Sequence, residues 1–137
     1  MIYEFDIPGP VTGKGRPRVN TYTCRAYTPT KTKEYEEMAQ QYFLFKYPRY
    51  VPIEGRTKVT IVAQFKIPKG TSKANAELML KGEIAPTKNP DIDNIVNIVL
   101  DALNSIAFKD DNQITKLEVE KLYTFEDERV YVKIEEY

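Results

Sequence analysis

Two aspartates, two positions apart, stand at the start of an apolar run in the segment PDIDNIVNIVLDAL. Capping explains one of them, because Asp is a favoured N-cap residue and a helix N-terminus carries partial positive charge. A second carboxylate is harder to explain, because two unit charges about 4 Å apart repel by roughly 4 kcal/mol at an effective dielectric of ~20. A cation between Asp91 and Asp93 would turn that repulsion into binding.

The residue types present restrict the chemistry further. The chain has no histidine, which excludes Ser-His-Asp and Cys-His catalysis and every metal site that uses imidazole. Catalysis must therefore rely on Asp, Glu, Lys, Tyr or Arg. Carboxylate oxygens favour hard cations such as magnesium, manganese or calcium. Cys24 is the only cysteine, so an intrachain disulfide is excluded and a reducing, cytoplasmic location is expected.

A second acidic pair, Asp110 and Asp111, follows the same apolar run. A helix from Asp91 to Ser105 would rise about 21 Å, so this pair begins at its far end. To reach Asp91 and Asp93, the chain must turn over residues 107–112 and the next strand must run back along the helix. Alternatively, a partner subunit supplies the second pair. Periodicity does not choose between these arrangements, and capping and turn formation remain the simpler explanations of all four carboxylates.

Charge is segregated along the chain although the net charge is zero. Residues 9–88 contain 15 Lys and Arg against 6 Asp and Glu, whereas residues 89–137 contain 5 against 12. This pattern is compatible with a phosphate-binding surface that faces a metal-binding carboxylate cluster. Mutual neutralisation of the two segments on the surface explains it equally well. The segment GPVTGKG has the wrong spacing for a P-loop, which leaves a glycine-rich basic arm.

Periodicity predicts the elements that must position these residues. Alternating apolar residues predict a strand over residues 3–7, and TKVTIVAQFKI predicts a central strand. Helical spacing predicts a helix from Lys33 to Tyr47, capped by Thr30 or Thr32, and a short helix in SKANAELMLKG with Ser72 as its cap. The main helix should bury five residues at three- and four-residue steps: Ile92, Ile95, Val99, Leu103 and Ile106.

The last two apolar segments, ITKLEVEKLYTF and RVYVKIEEY, resemble antiparallel strands joined around EDE. The element order is therefore β-α-β-(short α)-α-β-β, which predicts an α+β domain with helices packed on a mixed sheet. One domain is expected over residues 1–137. The longest apolar runs fall well short of a membrane span, so no membrane association is expected.

In their order and spacing, three segments resemble the RusA family of Holliday junction resolvases, which are endodeoxyribonucleases of phage and bacterial origin. The resemblance spans most of the chain and is strongest over TKNPDIDNIVNIVLDALNSIAFKDDNQI, residues 87–114. This segment is similar to the family core of Pro-Asp-x-Asp-Asn, a helix containing Asp-Ala-Leu-Asn, and Asp-Asp before a strand. GKGRPR and RAYTPTKTKEYE are similar to the basic N-terminal half of the family.

The resemblance implies a homodimer that binds a four-way DNA junction and cuts two strands symmetrically, leaving ligatable 5′-phosphate and 3′-hydroxyl ends. It implies magnesium, with manganese as an alternative, held by acidic residues. Carried over by position, it implies that the catalytic, metal-binding residues are Asp91, Asp93 and Asp111, supported by Asp110, Asn94 and Asn97.

One position departs from the family pattern. The family carries a lysine four positions after the second aspartate, where this chain has Asn97. A neutral amide holds a phosphate, or stabilises a developing negative charge, less well than a lysine does. Lys88 and Lys109 lie near the motif and are the candidates to substitute for it.

The basic half supplies the expected DNA contacts, which should make binding fall steeply as salt rises. They are Lys14, Arg16, Arg18, Arg25, Lys73 and Lys88. Tyr22 and Tyr27 lie among them and could pack on exposed bases, although core packing is the commoner fate of a tyrosine. Two other interpretations stay open: a non-catalytic junction-binding protein, favoured by Asn97, and a carboxylate-rich metal-binding or interaction domain unrelated to DNA, favoured by zero net charge.

Overall fold

The computed structural model describes residues 1–15, 18–27 and 29–137, and the side chains of Arg18 and Tyr27 lie outside that description. Within these residues, six strands and three α-helices follow one another. They are β1 (Ile2–Pro8), β2 (Arg18–Val19), β3 (Ala26–Tyr27), α1 (Thr30–Lys46), β4 (Thr57–Lys66), α2 (Lys73–Leu80), α3 (Ile92–Leu103), β5 (Ile114–Thr124) and β6 (Arg129–Glu136), with a 3₁₀ turn at Asp111–Gln113 before β5.

Four strands form a mixed sheet in the order β1-β6-β4-β5. The pairs β1–β6 and β6–β4 are antiparallel, and β4–β5 is parallel. Inward residues of β1, β4 and β6 alternate with more exposed ones, and the inward set packs against α1 and α3 in one hydrophobic cluster. The predicted α+β class with helices on a mixed sheet is therefore confirmed.

The stripe of α3 that enters the core is Ile95, Ile98, Val99, Ala102 and Leu103, all of which are buried. These positions recur at three- and four-residue steps, which is the spacing of one helix face. Ile92 was expected in the core but is 44% exposed. Periodicity identifies the face of a helix, not the point along the axis at which the core ends.

Two other local expectations were wrong, and one element was not predicted. The segments β5 and β6 are not a paired hairpin, because β4 lies between them in the sheet. The cap of α1 is neither threonine: Pro29 occupies the N-cap position, and Thr32 is buried with its Oγ1 accepting the Gly15 N–H at 2.9 Å. The basic segment before α1 contains the short β2–β3 hairpin, which was not predicted. Ser72 does cap α2, because its Oγ accepts the Asn75 N–H.

Among the described residues, none of the helices combines the length and apolar composition that crossing a bilayer requires.

Candidate active site

The start of α3 carries the first aspartate pair. Asp91 is the N-cap residue of α3, yet its side chain makes no capping hydrogen bond, and Asp93 lies in the first turn. Both side chains are exposed, and neither forms an ion pair within the described part of the chain. The Asp91 carboxylate therefore does not cap α3, although capping is the simplest explanation of an aspartate at this position.

The glycine-rich arm packs against this end of α3. The Lys14 N–H donates to the Asn94 carbonyl at 2.9 Å. A Cβ placed on Gly13 would lie 2.6 Å from the Cβ of Pro90, so only glycine allows the arm to approach so closely. On the other side of the arm, the Gly15 N–H donates to Thr32 Oγ1 of α1. The arm therefore connects the first turns of α1 and α3.

Lys14 reaches along the polar face of α3 to its last turn. Its ammonium pairs with Asp101 and lies 3.6 Å from Oε1 of Glu36 on α1. Partial burial lowers the pKa of Lys14, but the hydrogen bond to Asp101 and the charges of both carboxylates outweigh burial and raise it. Lys14 therefore stays protonated and neutralises two acidic side chains between the helices.

The second aspartate pair lies beyond the other end of α3. Asp110 caps the 3₁₀ turn, and Gln113 completes a reciprocal capping box with it. Gln113 Oε1 accepts the Asp110 N–H at 3.1 Å, while its Nε2 donates to the carbonyls of Ile53 and Gly55 at 2.6 and 2.9 Å. The pair is therefore anchored to the loop before β4.

The acidic neighbours of Asp111 lie at this end of the helix. Its hydrogen bond with Asp110 and the negative charges of Asp110 and Asp101 raise the pKa of the Asp111 carboxyl. Asp101 follows Asp91 by ten positions, which corresponds to about 15 Å along the helix axis. The two predicted carboxylate groups therefore occupy opposite ends of α3.

Strand β5 runs back along α3, as a site that joins Asp111 to Asp91 and Asp93 would require. The residue that it places at the start of α3 is, however, a lysine. Lys121 of β5 donates from Nζ to the carbonyls of Lys88 and Pro90, at 2.6 and 3.0 Å. Pro90 directly precedes Asp91. The returning strand thus brings a lysine, rather than Asp111, to the first aspartate pair.

The remaining predicted residues are dispersed. Arg16 and the side chain of Arg18 lie outside the described residues. Arg25 is exposed beside β3, and Lys73 is exposed at the first position of α2. Asn97 is exposed one turn after Asp93. Of the two candidate substitutes for a lysine at position 97, Lys88 is near the first aspartate pair, whereas Lys109 pairs with Glu54 at 2.6 Å.

The donor atoms of the first pair fit magnesium. This ion is commonly held by one or two carboxylates together with waters and substrate phosphates, rather than by a cage of protein ligands. Asp91 and Asp93 provide two exposed carboxylates of that kind. Within residues 1–15, 18–27 and 29–137 there is no group of three or more acidic or cysteine side chains placed to hold a metal ion. A metal at α3 would therefore leave coordination positions for solvent and phosphate.

Three residues at the site were missed from the sequence. Asp101 could have been found, because it follows Asp93 by eight positions, about two helical turns, on the polar face of α3. Glu36 and Lys121 give no local signal: their positions depend on how α1 crosses α3 and on which way β5 runs. Tertiary topology, not periodicity, places them.

Comparison with known proteins agrees with this architecture. The family model described as endodeoxyribonuclease RusA matches residues 8–135. The chain is also similar to the Bacillus subtilis (strain 168) protein YqaN, which is described as uncharacterized: the two are 33% identical over 137 residues, covering 97% of this chain and 95% of the relative. With nearly its whole length matched, this chain belongs to the RusA family of endodeoxyribonucleases.

Proposed function

We propose that this protein is a magnesium-dependent endonuclease that resolves four-way DNA junctions by paired cuts, acting as a homodimer. The observation that carries the proposal is the pair of exposed carboxylates at the start of α3, of which Asp91 holds the N-cap position without using its side chain as a cap. Membership of a nuclease family gives the reaction class. Neutralising DNA phosphates requires cations, and the basic residues are concentrated in the half of the chain that precedes α3.

In the proposed site, Asp91 and Asp93 would hold the ion beside the phosphodiester. When bound, magnesium stabilises the negative charge that develops on the phosphate and on the leaving oxygen. The arm at Gly13 and Lys14 fixes the first turn of α3 through its backbone, which keeps the two carboxylates in place. None of these roles requires a histidine, which this chain lacks.

Asp111 is the third proposed ligand, and it lies beyond the opposite end of the helix. Two arrangements would bring it to Asp91: the Asp110–Asp111 turn moves when DNA binds, or the partner subunit contributes its own turn. Mixing inactive Asp91→Asn and Asp111→Asn proteins distinguishes them. If the site is shared between subunits, each mixed dimer regains one intact site and nicks the junction once, whereas sites built within one subunit stay inactive in every mixture.

The exposed basic residues should dominate the salt dependence of DNA binding. Removing one phosphate contact, by Arg25→Gln or Lys73→Gln, is expected to lower the slope of log K against log salt concentration by about one. Lys133→Gln is the matched control, because Lys133 pairs with Glu135 on the sheet face opposite the helices. A fluorescence anisotropy titration of a labelled junction at several salt concentrations measures these slopes. Unchanged slopes in both variants would show that Arg25 and Lys73 do not contact DNA phosphates.

Tyr22 is proposed to stack on a base at the branch point. It is 96% exposed, in a turn fastened by Asn20, whose Oδ1 accepts the N–H groups of Tyr22 and Thr23. Its side chain therefore does not take the core position that is common for tyrosine. Stacking on an aromatic side chain contributes about 1–3 kcal/mol per base. Tyr22→Ala should accordingly weaken junction binding by about 5- to 150-fold, while Tyr22→Phe retains wild-type affinity.

A linear duplex provides a direct control for the Tyr22 prediction. A linear duplex offers no unpaired base, so its affinity should be equal for Tyr22→Ala and the wild type. Equal losses on duplex and junction would instead indicate that Tyr22 contacts the backbone.

The chemistry of the product ends tests the proposed function. Magnesium-assisted hydrolysis should leave 5′-phosphate and 3′-hydroxyl ends, so a DNA ligase should reseal the nicked duplex products without prior treatment. A non-catalytic junction-binding protein, the alternative suggested by Asn97, would bind the junction tightly and give no nicks. Nicks that a ligase cannot seal would argue against metal-assisted hydrolysis.

A further inference from the structure

Lys121 is fixed at the start of α3 by two main-chain carbonyls. Its Nζ donates to the Lys88 carbonyl at 2.6 Å and to the Pro90 carbonyl at 3.0 Å, and the side chain is half-buried. An ammonium has three N–H donors, so one donor is left for a further acceptor. Because Pro90 is joined to Asp91, that acceptor would lie beside the first aspartate pair.

A second ammonium contacts the same aromatic ring as the first. Lys88 Nζ is 5.2 Å, and Lys121 Nζ 5.4 Å, from the centre of the same ring, that of Phe65 on β4. An aromatic face attracts cations, which accounts for either lysine alone. Two ammonium groups over one ring repel each other, and neither forms an ion pair within the described part of the chain. An anion bound between them would relieve that repulsion.

The start of α3 therefore carries two cations and two carboxylates that are not paired with one another. Carboxylates suited to a metal ion, beside ammonium groups suited to a phosphate, form the combination that phosphodiester hydrolysis needs. Asn97, one turn after Asp93, is neutral and cannot supply the positive charge. The acidic turn at Asp110–Asp111 lies at the other end of the helix and does not compete for these lysines.

We propose that Lys121 binds the phosphodiester that is cut, with Lys88 beside it, and holds this phosphate against Asp91 and Asp93. The inference rests on the proposed nuclease function. It assigns the cation of the site to a residue on β5, thirty positions from Asp91 along the chain. Lys121 would contact the reacting phosphate directly and would not act through another residue.

The test uses a junction in which the phosphate at the cut position, mapped first with the wild-type protein, is replaced by a neutral methylphosphonate. Binding is measured in chelator, so that cleavage does not interfere. The preference for the ordinary over the neutral junction should be about tenfold greater for the wild-type protein than for Lys121→Met, because repulsion by Asp91 and Asp93 is common to both proteins and only the charge-assisted hydrogen bond of Lys121 differs. Lys121→Met should also bind the ordinary junction about tenfold more weakly than the wild-type protein does.

Cleavage provides the second readout of the same variants. At saturating junction concentration with magnesium, Lys121→Met should cut at least about tenfold more slowly in a single turnover, and Lys121→Arg should recover most of that rate. Lys116→Met is the matched control, because Lys116 lies on the same strand and is exposed. If Lys121→Met does not fold, Lys121→Gln replaces it in both experiments, because glutamine keeps an N–H donor without the charge. The same results are expected for this variant.

Each outcome separates this inference from the proposed function. If Lys121→Met prefers the ordinary junction over the neutral one as strongly as the wild type does, Lys121 does not bind the reacting phosphate. Cleavage by Lys121→Met at the wild-type rate would lead to the same conclusion. In both cases this inference fails and the proposed function stands. If the wild-type protein produces no cuts in any junction, the proposed function fails instead.

Discussion

Asp91→Asn should reduce magnesium-dependent junction cleavage by at least ~100-fold. The substitution removes one of two adjacent negative charges that would hold the ion, and a loss of roughly 3 kcal/mol in stabilising the transition state corresponds to a rate factor of that size. Asn is also a favoured N-cap residue of nearly the same shape, so α3 should remain folded. Single-turnover cleavage of a labelled junction gives the rate, and thermal denaturation followed by circular dichroism reports the fold.

Binding should change in the opposite direction. In chelator, the two carboxylates repel the DNA phosphates, so Asp91→Asn should bind the junction as tightly as the wild-type protein or more tightly. Asp6→Asn is the matched control, because Asp6 alternates with buried residues of β1 and lies on the sheet face away from α3. Full cleavage activity in Asp91→Asn would show that this residue does not hold the ion.

Gln113→Ala should lower the free energy of unfolding by about 2–4 kcal/mol. One side chain serves four groups: its Nε2 donates to the carbonyls of Ile53 and Gly55 and contacts Thr57 Oγ1, and its Oε1 accepts the Asp110 N–H. Alanine removes these hydrogen bonds, each of which contributes about 0.5–1.5 kcal/mol net, while the Lys109 N–H and the Thr57 hydroxyl still donate to the carbonyls of Ile53 and Gly55. Urea denaturation measures the change in midpoint.

The same substitution tests whether the Asp110–Asp111 turn must be held in place for activity. Because Gln113 anchors that turn to the loop before β4, cleavage should fall in Gln113→Ala even at temperatures where the variant is fully folded. Gln64→Ala, on the open face of the sheet, is the control and should change stability by no more than about 0.5 kcal/mol. A Gln113→Ala protein as stable as the wild type would mean that solvent replaces these hydrogen bonds at no cost.

Local patterns predicted the elements that carry the first aspartate pair. The three- and four-residue spacing of Ile95, Val99 and Leu103 defined the buried face of α3, and the proline and aspartate before it marked its start. Alternation identified β4 as a central strand with one fully buried face. These features depend on neighbours in sequence, which is why a single sequence contains them.

Features that depend on how elements pack together could not be predicted. The segments β5 and β6 are separated by a short turn and have the composition of a hairpin, yet β4 pairs with both of them. The resulting parallel β4–β5 pair directs β5 back towards the start of α3 and places Lys121 against Pro90. Thr32 has the residue type of a cap but is used to hold Gly15. In each case long-range contacts outweigh the local preference.

The most direct test of the central claim is cleavage of a synthetic four-way junction, labelled on each strand in turn, beside a linear duplex of the same sequence. Both are incubated with magnesium and with chelator. We predict paired cuts at symmetric positions, confined to the junction, dependent on magnesium and absent in Asp91→Asn. Tight junction binding without nicks, or cuts of equal rate in the linear duplex, would contradict the assignment of this protein as a junction-resolving nuclease.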